Sequence, residues 1–195
     1  MQTVLLTNQQ NFVLSPDEDT FYLVLLDKKA KNGQVKVDLS LKRTGLNCQL
    51  LFLGILTSGS DWQLTSEIKH LASKCSCLAE VYLSQKQQSK VNYFGRIYIA
   101  QTALQSKSFL KEQSLIMGQA VYNQSQPTME IFNNRVQASH SVSISHPDKN
   151  ALFYLMSRGF MQEEAEKILE RAFFNKVLDT VKVVEAHQLI GNYLC

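Results

Sequence analysis

The 195-residue sequence predicts a mainly β fold, a sheet coiled on itself and followed by a small helical unit. Short runs that alternate apolar and polar residues recur about every dozen residues as far as Ser145, which is the mark of strands with one buried face. The links between them, such as SQKQQSK after Leu83 and QTALQSKS after Ala100, are too short and too polar to be crossover helices. They argue against a doubly wound α/β sheet. At Pro147 the period changes from that of strands to that of helices, which places a β core over 1–146 and a helical domain over 147–195.

Taken in order, residues 1–60 read as strands at Val4 to Thr7, Phe12 to Leu14, Phe21 to Leu26, the alternating Val35 to Leu41, and Gln49 to Leu56. Ser15-Pro16-Asp17 and Asn32-Gly33 mark the clearest breaks, and the second is a hairpin-type signal that favours antiparallel pairing at that point. Six further strands are expected at Gln63 to Ile68, Ala79 to Leu83, Arg96 to Ala100, Ser114 to Met117, Met129 to Phe132 and Val142 to Ile144. Such repetition suits a sandwich or a parallel β-helix, and periodicity does not choose between them. Beyond the strands, Pro147 is placed to open a helix containing Ala151, Leu152, Leu155 and Met156, with Gly159 as its left-handed stop. A second helix begins near Gln162, with Glu163 and Glu164 favourable to its dipole and Ala165, Ile168, Leu169, Ala172, Phe173 and Val177 as one apolar stripe. Met161 stands where a polar N-cap is preferred, a deficit of about 1 kcal/mol. Helix is expected to end by about residue 185.

Composition narrows the function classes. A net charge of +3 with 19% charged residues, scattered along the chain, does not imply nucleic acid. The longest apolar run, Leu50 to Leu56, is far short of the roughly 20 residues that cross a bilayer, so no membrane role is expected. The first residues lack the basic and apolar regions of a secretory signal, which points to the cytoplasm, or to an organelle if a transit peptide is removed. Four cysteines, Cys48, Cys75, Cys77 and Cys195, fit a reducing compartment. The Cys75-x-Cys77 pair reads as two small side chains on one core-facing side of a strand. Cys195 reads as an exposed terminal thiol. No phosphate loop, nucleophile elbow or zinc-helix motif occurs, so the chain does not read as an enzyme.

From Val136 the residues Ser139, His140, Asp148, Leu152, Phe153, Tyr154, Leu155, Ser157, Arg158 and Gly159 form the pattern V-x-x-S-H-x7-D-x3-L-F-Y-L-x-S-R-G. This resembles the C-terminal signature of the SufB/SufD scaffold subunits of SUF iron–sulfur cluster assembly. Phe94-Gly95-x-Ile97-x-Ile99, Ser114-Leu115-x-Met117 and Pro127-x-Met129-Glu130-Ile131 precede it in that family's order, and the likeness is specific from about Glu67 to Phe174. The resemblance implies a right-handed parallel β-helix with a C-terminal helical subdomain. It also implies pairing through the β-helix with a SufB-like or identical subunit, docking of a SufC-like ABC ATPase on the helices, and a transient iron–sulfur cluster at the subunit interface. Family members usually run to more than twice this length, so the chain reads as a minimal version with the front coils absent or replaced by residues 1–60.

Carried over residue by residue, the resemblance makes His140 a candidate iron or cluster ligand, a role for which imidazole is suited. The bland alternative is a strand histidine lining the β-helix. His70 and Cys75 fall on an H-x4-C segment of the family and are weaker metal candidates, with core packing as the alternative. His146, beside Pro147, reads as a helix N-cap neighbour. Glu112 stands where the SufB branch has its functional cysteine, and a carboxylate carries no persulfide sulfur, so the chain reads as closer to SufD. Phe153, Tyr154, Arg158 and Gly159 are the partner-binding candidates, since aromatic and arginine anchors dominate interfaces. Their alternative is packing against the end of the β-helix. A truncated relative that binds the ATPase without holding metal is the rival to a cluster scaffold.

Overall fold

The computed structural model describes residues 1–6, 11–181 and 184–194. Cys195 lies outside the described residues. Eleven strands precede three helices among them: β1 Gln2–Leu6, β2 Asn11–Leu14, β3 Thr20–Leu25, β4 Asn32–Leu41, β5 Asn47–Leu56, β6 Asp61–His70, β7 Ser76–Gln85, β8 Lys90–Ile99, β9 Lys107–Ile116, β10 Tyr122–Ile131, β11 Gln137–Ser145, then α1 Lys149–Ser157, α2 Gln162–Thr180 and α3 Val184–Leu194. One sheet runs β1-β3-β5-β7-β9-β11 and the other β10-β8-β6-β4-β2, with every pairing parallel. Successive strands therefore alternate between sheets, and each coil of the chain adds one strand to each. This is a parallel β-helix, which settles the choice that periodicity left open.

Residues one coil apart stack: Asn32, Asp61 and Lys90 stand in register at intervals of 29 residues, and Tyr122 follows after 32. Three successive coils turn with a residue of positive φ at each of two corners, Gly45, Lys74 and Gln105 at one and Gly59, Gln88 and Ala120 at the other. Their N–H groups donate to the next coil, as in Gly45 to the Ser73 carbonyl and Gln88 to the Gln119 carbonyl. The corners thus satisfy backbone groups that a bend in a sheet otherwise strands. Asn32-Gly33 is no hairpin. It starts β4, which is parallel to both neighbours, and glycine is needed because the Trp62 ring of the next coil occupies the space a Cβ would take.

The interior is filled by ladders such as Val37, Leu39 and Leu41 on β4, with Cys48, Cys75 and Cys77 fully enclosed as expected. Burial pushes the Cys48 thiol up to about 11 and raises Cys77 as well. The outer face of the larger sheet carries a second core. Phe21, Leu23, Leu51, Leu53 and Tyr82 pack there against Phe174, Val177, Val181, Ala186 and Ile190 of the helices. Burial on both faces explains the unbroken apolar runs of β3 and β5. Two polar clasps fix this contact. The Tyr193 hydroxyl donates to the Leu26 carbonyl at 2.8 Å and accepts the Ile55 N–H at 3.0 Å. The Glu170 carboxylate accepts the Ser84 hydroxyl and pairs with Lys86 at 2.6 Å.

The helices differ from expectation in four respects. Pro147 precedes α1 instead of opening it, because Asp148 is the N-cap and its carboxylate accepts the Asn150 N–H at 2.7 Å. A third helix, α3, extends the helical part to Leu194. The buried face of α2 runs through Ala165, Phe174 and Val177, while Ile168 and Ala172 are exposed. At Met161 the missing side-chain cap is offset from the other direction, since the Glu164 carboxylate accepts the Met161 N–H at 2.9 Å. Gly159, at φ +96°, ends α1 as expected, with Phe160 N–H on the Leu155 carbonyl and Gly159 N–H on that of Met156.

Candidate functional site

The last coil is where the fold stops without being covered. On β9 the inward rungs are Ser108, Leu110, Glu112 and Ser114, all buried. β11 repeats that register one coil on, placing Ala138, His140, Val142 and Ile144 on the same inward rungs. Yet His140 is exposed, and Val142 and Ile144 are 41% and 48% exposed. On β10, Met129 and Ile131 continue the buried rungs of Ile97 and Ile99 and are likewise exposed. These side chains have the register of a core and no coil above them. The free edge of β11 adds a row of unpaired backbone donors and acceptors.

Just beneath this end lies a buried carboxyl. Glu112 is next to Val142 across the β9–β11 pair and accepts hydroxyls from Ser125 and, at 3.4 Å, Ser114. Burial raises its pKa, against the effect of the two serines. Tyr93, on the neighbouring sheet, shares a 2.7 Å hydrogen bond with Ser66. The interior thus carries a polar rung that sequence alternation concealed, because serine and glutamate on an inward position look like solvent-facing residues.

The three metal candidates do not form one site. His70 ends β6 between Leu41 and Ile99, is 0% exposed, and finds no hydrogen-bond partner for either ring nitrogen among the described residues. Its imidazole pKa is pushed down to about 4 by burial. Cys75 is enclosed as well, its thiol directed to the Arg43 carbonyl at 3.0 Å. His140 stands apart from both on the exposed edge strand. Among the described residues, no three His, Cys, Asp or Glu side chains meet in a metal-binding arrangement.

A second exposed surface surrounds α1. This helix buries no residue and rests on α2. Phe153 is 74% exposed, so it does not pack against the β-helix, and Tyr154 and Met156 are exposed beside it. The Arg158 guanidinium lies over the Tyr154 ring at 5.1 Å, which holds it flat against the helix end. Phe160 and Met161, the latter 72% exposed, extend the apolar surface past Gly159. Met161 was legible as a misfit, an apolar residue at a cap position, but not as part of a surface.

A family model described as "SUF system FeS cluster assembly, SufBD core domain" matches residues 7–173. The chain belongs to the SufBD core family. The match begins well before Glu67, where the sequence likeness becomes specific. Over 153 residues this SufBD-family chain is 29% identical to the iron-sulfur cluster assembly protein SufB of Bacillus subtilis (strain 168), covering 77% of the chain and 33% of that protein. It is 27% identical over 149 residues to a SufBD family protein of Staphylococcus epidermidis, covering 75% and 32%. A SufBD family protein of Staphylococcus aureus (strain USA300) is 32% identical over 108 residues, covering 54% and 23%. The chain spans about a third or less of the length of these relatives.

Proposed function

We propose that this chain is a non-catalytic, SufD-like scaffold element of iron–sulfur cluster assembly, acting in the cytoplasm. The uncovered inward rungs of the last coil carry the reading: a β-helix that ends with Met129, Ile131, Val142 and Ile144 in solvent is built to be continued by a second subunit, SufB-like or identical. His140 sits on those rungs and becomes enclosed when they are covered, where its imidazole is available to a nascent cluster as cargo. The remaining ligands come from the partner subunit, since the described residues bring no set of three together. Glu112 supports the SufD-like assignment because the position offers a carboxyl in place of a persulfide carrier. On α1 and the turn after it, Phe153, Tyr154 and Arg158, with Gly159 setting the turn, present the surface for a SufC-like ABC ATPase.

A second reading, an ATPase-binding module that holds no metal, is favoured by the lack of a ligand set within the described residues. Anaerobic co-purification with a SufB-like and a SufC-like protein, followed by iron and sulfide analysis, separates the two. The scaffold reading expects complex-bound iron that drops in His140→Ala while the melting temperature of the variant stays within a few degrees of wild type. Equal iron in both proteins assigns the chain to the module reading.

A further inference from the structure

The corner of the β-helix that leads into the larger sheet gathers charge that the sequence disperses. Turns 42–47, 71–76, 100–107 and 132–137 stack there on the first-coil turn 15–19, whose Asp17, Glu18 and Asp19 are acidic, and every charged residue in the four later turns is a cation: Lys42, Arg43, Lys74, Lys107 and Arg135. Arg43 lies 3.8 Å from Asp17 of the first coil. No ion pair involves Lys74, Lys107 or Arg135 among the described residues, and all three are exposed. Their spacing follows from the register. Lys74 and Arg135 flank Gln105 on neighbouring coils, each about 4.8 Å from it along the stack, while Lys107 is two residues further along the same coil as Gln105. A cleft of about 370 Å³ opens between Lys107 and Arg135, lined also by Ser106 and Asn134.

The same corner is partly apolar. Leu71 and Leu104 are each 38% exposed, and Phe132 is 57% exposed. The helices leave it clear, because their clasps through Tyr193 and Glu170 reach the opposite ends of β3, β5 and β7, at Leu26, Ile55 and Ser84. We infer that this basic and apolar ridge, centred on Lys74, Lys107 and Arg135, docks an extended acidic protein segment whose carboxylates alternate with apolar side chains. Charge supplies the first half of the match, and Leu71, Leu104 and Phe132 supply the second, which neither a phosphate backbone nor a small anion can use. Nucleic acid fits less well because the cations stand on one short strip that carries the aliphatic Leu71 and Leu104 as well as the exposed Phe109 and Phe132 rings.

Fluorescence anisotropy on the full chain tests this with three labelled probes: a short peptide alternating glutamate and leucine, polyglutamate of equal charge, and single-stranded oligothymidylate. The glutamate–leucine peptide is expected to bind tightest. Lys74→Glu/Lys107→Glu/Arg135→Glu is expected to weaken it about tenfold or more, with an unchanged circular-dichroism melt. Leu104→Ser is expected to weaken the peptide and leave polyglutamate unaffected. Lys29→Glu/Lys90→Glu, at the other corner, is expected to change nothing. Undiminished binding by the folded triple variant overturns the proposal, as does an absence of peptide binding. Tighter oligothymidylate binding assigns the ridge to nucleic acid instead, and polyglutamate binding equal to the peptide removes the apolar half of the match; either result also overturns it. None of these variants substitutes a residue of β11 or α1, so this outcome is separate from that of the scaffold reading.

Discussion

His70 and Glu112 are both buried titratable groups, and they tie stability to pH in opposite directions. A histidine whose folded pKa is about 4, against an ordinary 6.5, keeps the folded state fully favoured above 6.5 and penalises it as pH falls toward 4. That is about 3 kcal/mol at most over the window. His70→Leu, which matches its neighbours Leu41 and Ile99, is expected to remove this loss, as read from urea unfolding at pH 4.5 and 7. An unchanged pH slope would mean the imidazole has a partner in solution. For Glu112 the pKa is raised, so ionisation costs stability as pH climbs above the normal carboxylate range. Glu112→Gln retains an acceptor for Ser125 and Ser114, and the variant is expected to be at least as stable as wild type at pH 7 and to lose its advantage under acid. The burial of the cysteines was legible because free thiols pack as small apolar groups. The setting of His70 was not, because its spacing to Cys75 looks alike for a ligand pair and for two core residues at a corner.

At the level of elements, all eleven strands were legible in kind but misplaced at their ends: β6 to β10 begin before the expected starts, the expected ends at Ala100, Met117 and Phe132 run one residue too far, and Thr7 lies outside the described residues. The rungs that were missed carry buried polar residues, among them Ser84, Gln85 and Ser108, which interrupt apolar alternation without leaving the core. Asn32-Gly33 misled for a related reason: glycine there answers to the Trp62 ring of the next coil, a contact 29 residues away that no local turn rule contains. The coil period went unnoticed because stacking conserves position and not residue type, as when Gly45, Lys74 and Gln105 share one corner. In α1 the sequence was more direct, since Gly159 and its φ of +96° follow from the need for a left-handed stop. Gly159→Ala is therefore expected to lower stability by about 1 kcal/mol and to disturb the Phe160 and Met161 surface. Arg158→Glu is expected to leave the fold intact, because the side chain is exposed and lies over the Tyr154 ring, while weakening binding of a SufC-like ATPase about thirtyfold, or about 2 kcal/mol. Calorimetric titration with circular dichroism on the variant checks this, and unchanged affinity in a folded variant would move the docking surface away from α1.

Across the whole molecule, the end of the β-helix at β10 and β11 is left open, and β11 has the composition of a strand meant to pair. It lacks the lysines, prolines and bulges that protect free edges, and between Ser139 and Ser145 serines alternate with His140, Val142 and Ile144. That pattern is self-complementary. In an antiparallel pairing of two copies centred on Val142, Ser141 faces the partner copy's Ser143, Ser139 faces its Ser145, and His140 faces its Ile144, so that inward rungs meet inward rungs. Antiparallel neighbours place their Cα atoms about 4.5–5.5 Å apart, within the range that a disulfide spans. Ser141→Cys/Ser143→Cys is accordingly expected to form an interchain disulfide under mild oxidation, whereas Ser141→Cys alone is not, because residue 141 never faces its own copy in this register. Light scattering should give a dimer for the wild-type chain and a monomer for Val142→Lys/Ile144→Lys. Both substituted positions are already solvent-exposed, so the stability of the single chain should change by no more than about 1 kcal/mol. A wild-type monomer that associates only with a SufB-like subunit would keep the end as an interface and reject self-pairing, and a wild-type chain that binds neither would remove the interface altogether.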